Sequence, residues 1–315
     1  MKTPTPVDGK AAAATAAARG RTSGVVWAAL AVVYVVWGST YLGIRVVVET
    51  MPPLLSAGAR FITAGLLLAA VVAWRYGPSA LRASRAQLGS AALVGLMLVL
   101  GGNGLVALAE TSVPSGLAAL LVAAVPMWVV VLRAGTGDRP PRRTLAGVLV
   151  GLAGLAVLTG PGLSGAVRLS GVLLVLAASV LWSLGSFSAA RLELPANPFT
   201  GSAYQMLAGG IADVVVGLLR GEHRGLDPAA FSTASWLALG YLVLIGSLVG
   251  FTAYVWLLRA APLSLVSTYA YVNPVVAVAL GALILDEAMT WPILVGGGIV
   301  VAAVGVIVST ERGKK

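Results

Sequence analysis

The side chains of this chain that could bind or move something stand inside apolar stretches. Arg60 lies within the run LLSAGARFITAGLLLAAVVAW, seven residues past Pro53. A guanidinium inside a membrane span costs about 2.5 to 3.5 kcal/mol on insertion scales, so it must face protein or water. Gln205 holds the corresponding place in the second half of the chain, seven residues past Pro198. Asp213 follows on the same apolar run, at a depth similar to that of Arg60. Arg60 then either pairs with Asp213 or Glu49 as a structural ion pair, gates one mouth of a pathway, or holds a solute carboxylate. Aromatic and hydroxyl side chains accompany it: Trp37, Ser39, Thr40 and Tyr41 on one run, Trp182, Ser183, Ser186 and Ser188 on another. Asn103 lies among Gly101, Gly102 and Gly104, while Thr252, Tyr254, Ser267, Thr268, Tyr269, Tyr271 and Asn273 cluster late in the chain. Each could serve as an interhelical hydrogen bond or as packing. Together they suit a wet crevice whose aromatic walls carry polar tips, fit for small amphipathic organic molecules.

Catalysis and metal binding find little here. Cysteine is absent and the single histidine, His223, falls in a loop, so thiolate and imidazole sites are excluded. The four lysines lie in the terminal tails, which removes a serine–lysine pair. No catalytic residue, metal or cofactor is expected. A proton-coupled carrier would need a buried carboxylate; Glu110 and Asp213 are the candidates, and facilitated diffusion stays open beside them.

The elements that position these residues follow from composition. Hydrophobic residues make up 58% of the chain and charged residues 10%, with 39 glycines among 315 residues, a balance that no water-soluble domain of this length could bury. Apolar runs predict an all-α integral membrane protein with spans near 24–46, 52–74, 87–109, 113–134, 143–161, 169–190, 197–220, 234–257, 262–285 and 291–310. Helices are required because backbone in hydrocarbon must satisfy its own hydrogen bonds.

The two sets of five share one plan. Trp37, Pro53, Gly65 and Arg75 recur 145 residues later as Trp182, Pro198, Gly210 and Arg220. Pro114, Pro126 and Asp138 recur 148 residues later as Pro262, Pro274 and Asp286, and Gly147 and Gly154 recur as Gly298 and Gly305. An odd number of spans per unit places the second unit in the opposite orientation, so two inverted five-helix repeats, 24–161 and 169–310, are expected between tails at 1–23 and 311–315. The 1–23 tail reads as flexible. Inverted repeats belong to transporters that bind solute between them near mid-membrane. A channel, a scaffold or receptor, and a membrane enzyme are the competing readings.

With the termini cytoplasmic, sixteen of the 21 Lys and Arg face inward, which agrees with the positive-inside bias. The net charge of +10 is thereby a matter of topology, and no nucleic-acid partner is implied. The partners expected are the lipid bilayer and a small-molecule substrate, with the chain a monomer or homodimer. Small-residue faces at Gly147/Gly151 and Gly246/Gly250 serve helix packing. Pro126 and Pro274, each in mid-span, free a backbone carbonyl and are candidate hinges. Asp227 followed by Pro228 predicts a short interfacial helix carrying Phe231 and Trp236.

The runs WGSTYLGIR at 37–45, AGARF ending at 61, GGNGLVALAE at 101–110, VPSGLAALLVAAVP at 113–126 and STYAYVNPVVAV at 267–278 resemble the EamA family of the drug/metabolite transporter superfamily, and within it the YedA-like exporters. The likeness covers about residues 24–310. It implies ten helices, cytoplasmic termini in a bacterial inner membrane, and export of metabolites, amino acids or drugs; a channel-like facilitator or an importer is the alternative. The sixth span departs from the pattern, with WSLGSFSAAR where the first has WGSTYLGIR.

Overall fold

The computed structural model describes residues 6–137, 141–158, 168–261, 263–266 and 268–312. In chain order its main helices are α1 (Pro6–Val48), α2 (Pro53–Tyr76), α3 (Arg85–Ala109), α4 (Ser115–Gly135) and α5 (Arg142–Leu158). They continue as α6 (Leu169–Ala189), α7 (Pro198–Leu219), α8 (Thr233–Ala260), α9 (Tyr269–Ile284) and α10 (Trp291–Arg312). Among the described residues, seven are long and apolar enough to span a membrane: Gly24–Val48 of α1, then α2, α3, α4, α6, α7 and α8. Shorter apolar helices cover Val272–Ile284 and Trp291–Ile307. No strand occurs among the described residues.

Local sequence sets the helix ends. Ser84 and Gln87 form a reciprocal capping box at the start of α3, both bonds 3.1 Å. Asn197 caps α7, with Pro198 at its first position, by accepting from the Phe199 N–H at 2.9 Å. Residues 6–23 continue α1 as helix, their alanines being the strongest helix formers. One expectation needs correction. The helix expected after Asp227 is one 3₁₀ turn, Pro228–Ala230, although Asp227 does cap it by accepting from the Ala229 N–H at 3.0 Å. Ser232 starts α8 immediately afterwards, so Trp236 belongs to that helix and meets Phe231 at 5.8 Å between ring centroids.

Neither α3 nor α8 is uniform. Each carries a π-helical segment, Leu96–Gly104 and Leu242–Phe251, at matching places in the two halves; such segments put carbonyls out of regular register and mark functional positions in many proteins. α4 breaks at Ala123–Ala124 and restarts with Pro126 at its second residue. Pro274 lies inside α9. Asp138, Pro262 and Ser267 fall outside the described residues.

Packing pairs helices across the halves. α2 lies along α7, α5 along α10, α1 against α9, and α6 against α4. Glycine makes these approaches close. A Cβ on Gly58 would sit 2.8 Å from the Gly210 carbonyl oxygen, and one on Gly210 would sit 2.9 Å from the Ile62 nitrogen. Gly147 and Gly151 face Ile307 and Ala303 of α10, and Gly246 and Gly250 face α1, so both small-residue faces serve packing within the chain. α3 and α7 also touch backbone to backbone: a Cβ on Gly209 would lie 2.6 Å from the Gly95 carbonyl oxygen. Gly209→Ala is therefore expected to destabilise the protein by about 1 to 3 kcal/mol. A clear drop in melting temperature in detergent would show it, and an unchanged melting curve would refute this contact.

Candidate functional site

A cavity opens between the two halves, with roughly 590 Å³ of unfilled space between its walls, open solvent at its mouth included. The first half contributes Trp37, Thr40, Tyr41 and Ile44 from α1, Arg60 and Phe61 from α2, Gly102, Asn103 and Val106 from α3, and Val122 from α4. The second contributes Ala178 and Trp182 from α6, Gly246 and Phe251 from α8, and Tyr269 and Asn273 from α9. A smaller pocket shares Ile44, Arg60 and Asn103 with it and continues past Val47, Val48, Ser56 and Ala57 toward the face bearing residues 49–52.

Four aromatic rings close the other end. Trp37 meets Trp182 edge-on at 5.3 Å between centroids, Tyr254 at 4.8 Å and Tyr269 at 5.5 Å. Each such contact is worth about 0.5 to 1.5 kcal/mol beyond the area it buries. Trp37 comes from the first half and its three neighbours from the second, so the cluster itself joins the halves. Tyr254 is 1% exposed and does not line the cavity; its hydroxyl and that of Ser186 are 2.8 Å apart beneath the rings.

The π segments seat the two tryptophans. Trp37 Nε1 donates to the Gly246 carbonyl oxygen at 3.3 Å, while a Cβ on Gly102 would lie 2.5 Å from Trp182 Cε3. Only the missing side chain lets that ring approach. Asn103 Nδ2 donates to the Leu98 carbonyl five residues back at 3.2 Å, so its amide takes up a carbonyl of the π turn. Asn273, with its amide oriented to satisfy both neighbours, donates to the carbonyls of Tyr269 at 3.2 Å and Tyr34 at 3.1 Å. The Thr40 hydroxyl donates to the Trp37 carbonyl at 2.8 Å. Pro126 has no N–H to offer the carbonyl of Val122, four residues earlier, and Val122 borders the cavity.

Arg60 is 4% exposed and its Nε donates to Ser247 Oγ of α8 at 2.7 Å. Its guanidinium carbon stands 4.5 Å from the Phe61 ring centre. No ion pair joins it to Asp213 or Glu49 among the described residues; Asp213 and Glu110 act on it through their field alone. Both carboxyl groups are fully buried, and none of their four oxygens has a hydrogen-bond partner. Arg45 donates instead to the backbone carbonyl of Glu110.

Of the residues singled out in the sequence, Trp37, Thr40, Tyr41, Arg60, Asn103, Trp182, Tyr269 and Asn273 come together on the cavity. Ser186 and Tyr254 form its underlayer. Gln205 does not reach it: the side chain is buried where α7 meets α3, with Oε1 unpartnered. Its place opposite Arg60 in the repeat put it in the set, but α7 turns that position toward Gly95. The Tyr271 side chain lies outside the described residues. Sequence reasoning missed Ser247 and the walls built from Phe61, Phe251, Gly102 and Gly246. The GxxxG pair around Ser247 was the one signal for it.

Comparison with known proteins agrees with this architecture. The EamA-like transporter family model matches residues 22–160 and again 169–309. The chain is 39% identical over 279 residues to the inner membrane transporter YedA of Escherichia coli (strain K12), covering 88% of each. It is 28% identical over 274 residues to a probable amino-acid metabolite efflux pump of the same organism, covering 82% of this chain and 86% of that one. A solved structure titled "Crystal structure of protein" superposes with a TM-score of 0.66 at 20% identity, covering 93% of this chain and 99% of the other. The chain therefore belongs to the EamA-like transporter family, with one family match on each of the two halves that enclose the cavity.

Proposed function

We propose that the protein is a secondary transporter that exports a small organic solute by alternating access between two inverted five-helix repeats. The observation that carries this reading is the shared cavity, lined by both halves at positions that recur in the repeat, Trp37 and Trp182 among them. The cross-half pairing of α2 with α7 and of α5 with α10, and the matching π segments, support a pseudo-twofold arrangement of ten spans. With the termini cytoplasmic, the face bearing residues 49–52 is external. The cavity then leads outward past Arg60, and the four rings shut its cytoplasmic end.

In this scheme rocking of the halves breaks the contacts of Trp37 with the second half and opens the inner path, while the restarted helix at Pro126 and the interior Pro274 bend to allow it. Glu110 and Asp213, carboxyl groups buried without partners, carry the coupling proton. The name of the efflux-pump relative suggests amino-acid metabolites as the cargo class, and the aromatic walls suit those with apolar bodies.

Purified protein in liposomes should carry out solute-for-solute counterflow of one or more amino acids or their derivatives, saturable and without electrical conductance. Conductance that persists without any solute would identify a channel and refute this mechanism.

A further inference from the structure

The α8 dipeptide Gly246–Ser247 anchors two cavity residues of the opposite half at once. The Gly246 carbonyl accepts from Trp37 Nε1 at 3.3 Å and Ser247 Oγ accepts from Arg60 Nε at 2.7 Å. Ser247 is fully buried, as a hydroxyl placed for one partner would be. This bond fixes the plane of the guanidinium, because Nε lies at its root and the group is rigid. The guanidinium carbon stands over the Phe61 ring, 4.5 Å from its centre. Gly246, having no side chain, lets the guanidinium approach closely: a Cβ there would stand 3.1 Å from Arg60 Nη2 and 3.0 Å from Thr40 Cγ2. Asp213 and Glu110 are near enough to act on the cation but take no hydrogen bond from it. The two terminal nitrogens of Arg60 are thus not bonded to any described protein group, and Arg60 borders both the main cavity and the pocket that continues from it.

We infer that Ser247 is a positioning residue that aims Arg60 into the cavity to take an oxyanion group, carboxylate or phosphate, on the transported solute. The inference rests on the proposed solute-carrying role of the cavity and adds a selectivity to it. Two parallel N–H donors of a guanidinium match two oxygens of such a group, and the rings of Trp37, Phe251 and Tyr269 receive the apolar remainder. Without the Ser247 hydroxyl, Arg60 Nε loses its acceptor and the guanidinium is free to swing toward Asp213 or Glu110, which removes the fork from the solute.

Titration of the detergent-purified full chain, followed by tryptophan fluorescence, tests this with three probes of one shape class. These are N-acetyl-L-phenylalanine, phenyl phosphate, and the neutral N-acetyl-L-phenylalanine amide. Wild-type protein should bind at least one anionic probe, and the preferred one tells carboxylate from phosphate. Ser247→Ala should weaken that binding about tenfold, the scale of one hydrogen bond to a charged group, with the amide changed by less than about twofold. Ser247→Thr, which keeps the hydroxyl, should restore it. Equal weakening of all three probes by Ser247→Ala, or no weakening, would overturn the inference, and so would failure of the threonine rescue. Binding of the amide alone overturns it while leaving the cavity a solute site; binding of none of the three overturns both.

Discussion

Replacing Trp37 by alanine is expected to reduce counterflow by at least about tenfold, the largest effect of any single cavity substitution. The indole holds three aromatic contacts and one hydrogen bond, all to the second half. Removing a buried tryptophan costs about 3 to 5 kcal/mol, so lost flux alone would not distinguish a broken gate from an unfolded protein. Trp37→Phe separates them. Phenylalanine keeps a ring against Trp182 and Tyr254 but cannot donate to Gly246, and flux within about threefold of wild type is expected from it. If Trp37→Ala elutes as a folded protein and transports normally, the ring cluster is not part of the pathway.

The second large effect is expected at Asp213. Its carboxyl is fully buried beside Gly104, with both oxygens unpartnered, and it feels Arg60 without bonding to it. A group so placed must pay for its charge whenever it loses its proton, which suits it to exchange one as the cavity changes sides. Asp213→Asn is nearly isosteric, so the tight approach of Gly104 is kept. The variant should still exchange solute for solute, while stimulation of net flux by a pH gradient falls to none. Undiminished stimulation would remove Asp213 from the coupling and leave Glu110, testable in the same way by Glu110→Gln.

Much of this architecture was legible in the residues because a bilayer permits few solutions. A cation such as Arg60 inside an apolar run has to face water or protein, and a tryptophan that recurs at the same place in two halves is easy to see. Those two rules supplied Arg60, Trp37 and Trp182, and the presence of polar and aromatic side chains inside apolar runs supplied Thr40, Tyr41, Asn103, Tyr269 and Asn273. The rest depended on helix rotation and local winding. Gln205 shares its repeat position with Arg60, yet α7 presents it to α3, and repetition in sequence carries no such angle. The π segments of α3 and α8 were invisible for the same reason: leucine, valine and glycine in those runs fit regular helix equally well. The GxxxG pair marked the stretch around Ser247 for close packing, and its role as acceptor became recognisable once Arg60 Nε was seen against it. Between α7 and α8 local chemistry decided matters: Asp227 capped a turn as its type predicts, but Ser232 began the next helix before that turn could grow.

The absence of cysteine allows the central claim to be tested at one position. Asn103 lies on the cavity, between the halves and near the pocket that leads past Arg60. Asn103→Cys in oriented membranes should react with an impermeant thiol reagent from the external face, and from the cytoplasmic face under solute conditions that turn the halves over, with saturating solute slowing both reactions. Reaction from a single face under every condition, at a rate indifferent to solute, would contradict alternating access through this cavity.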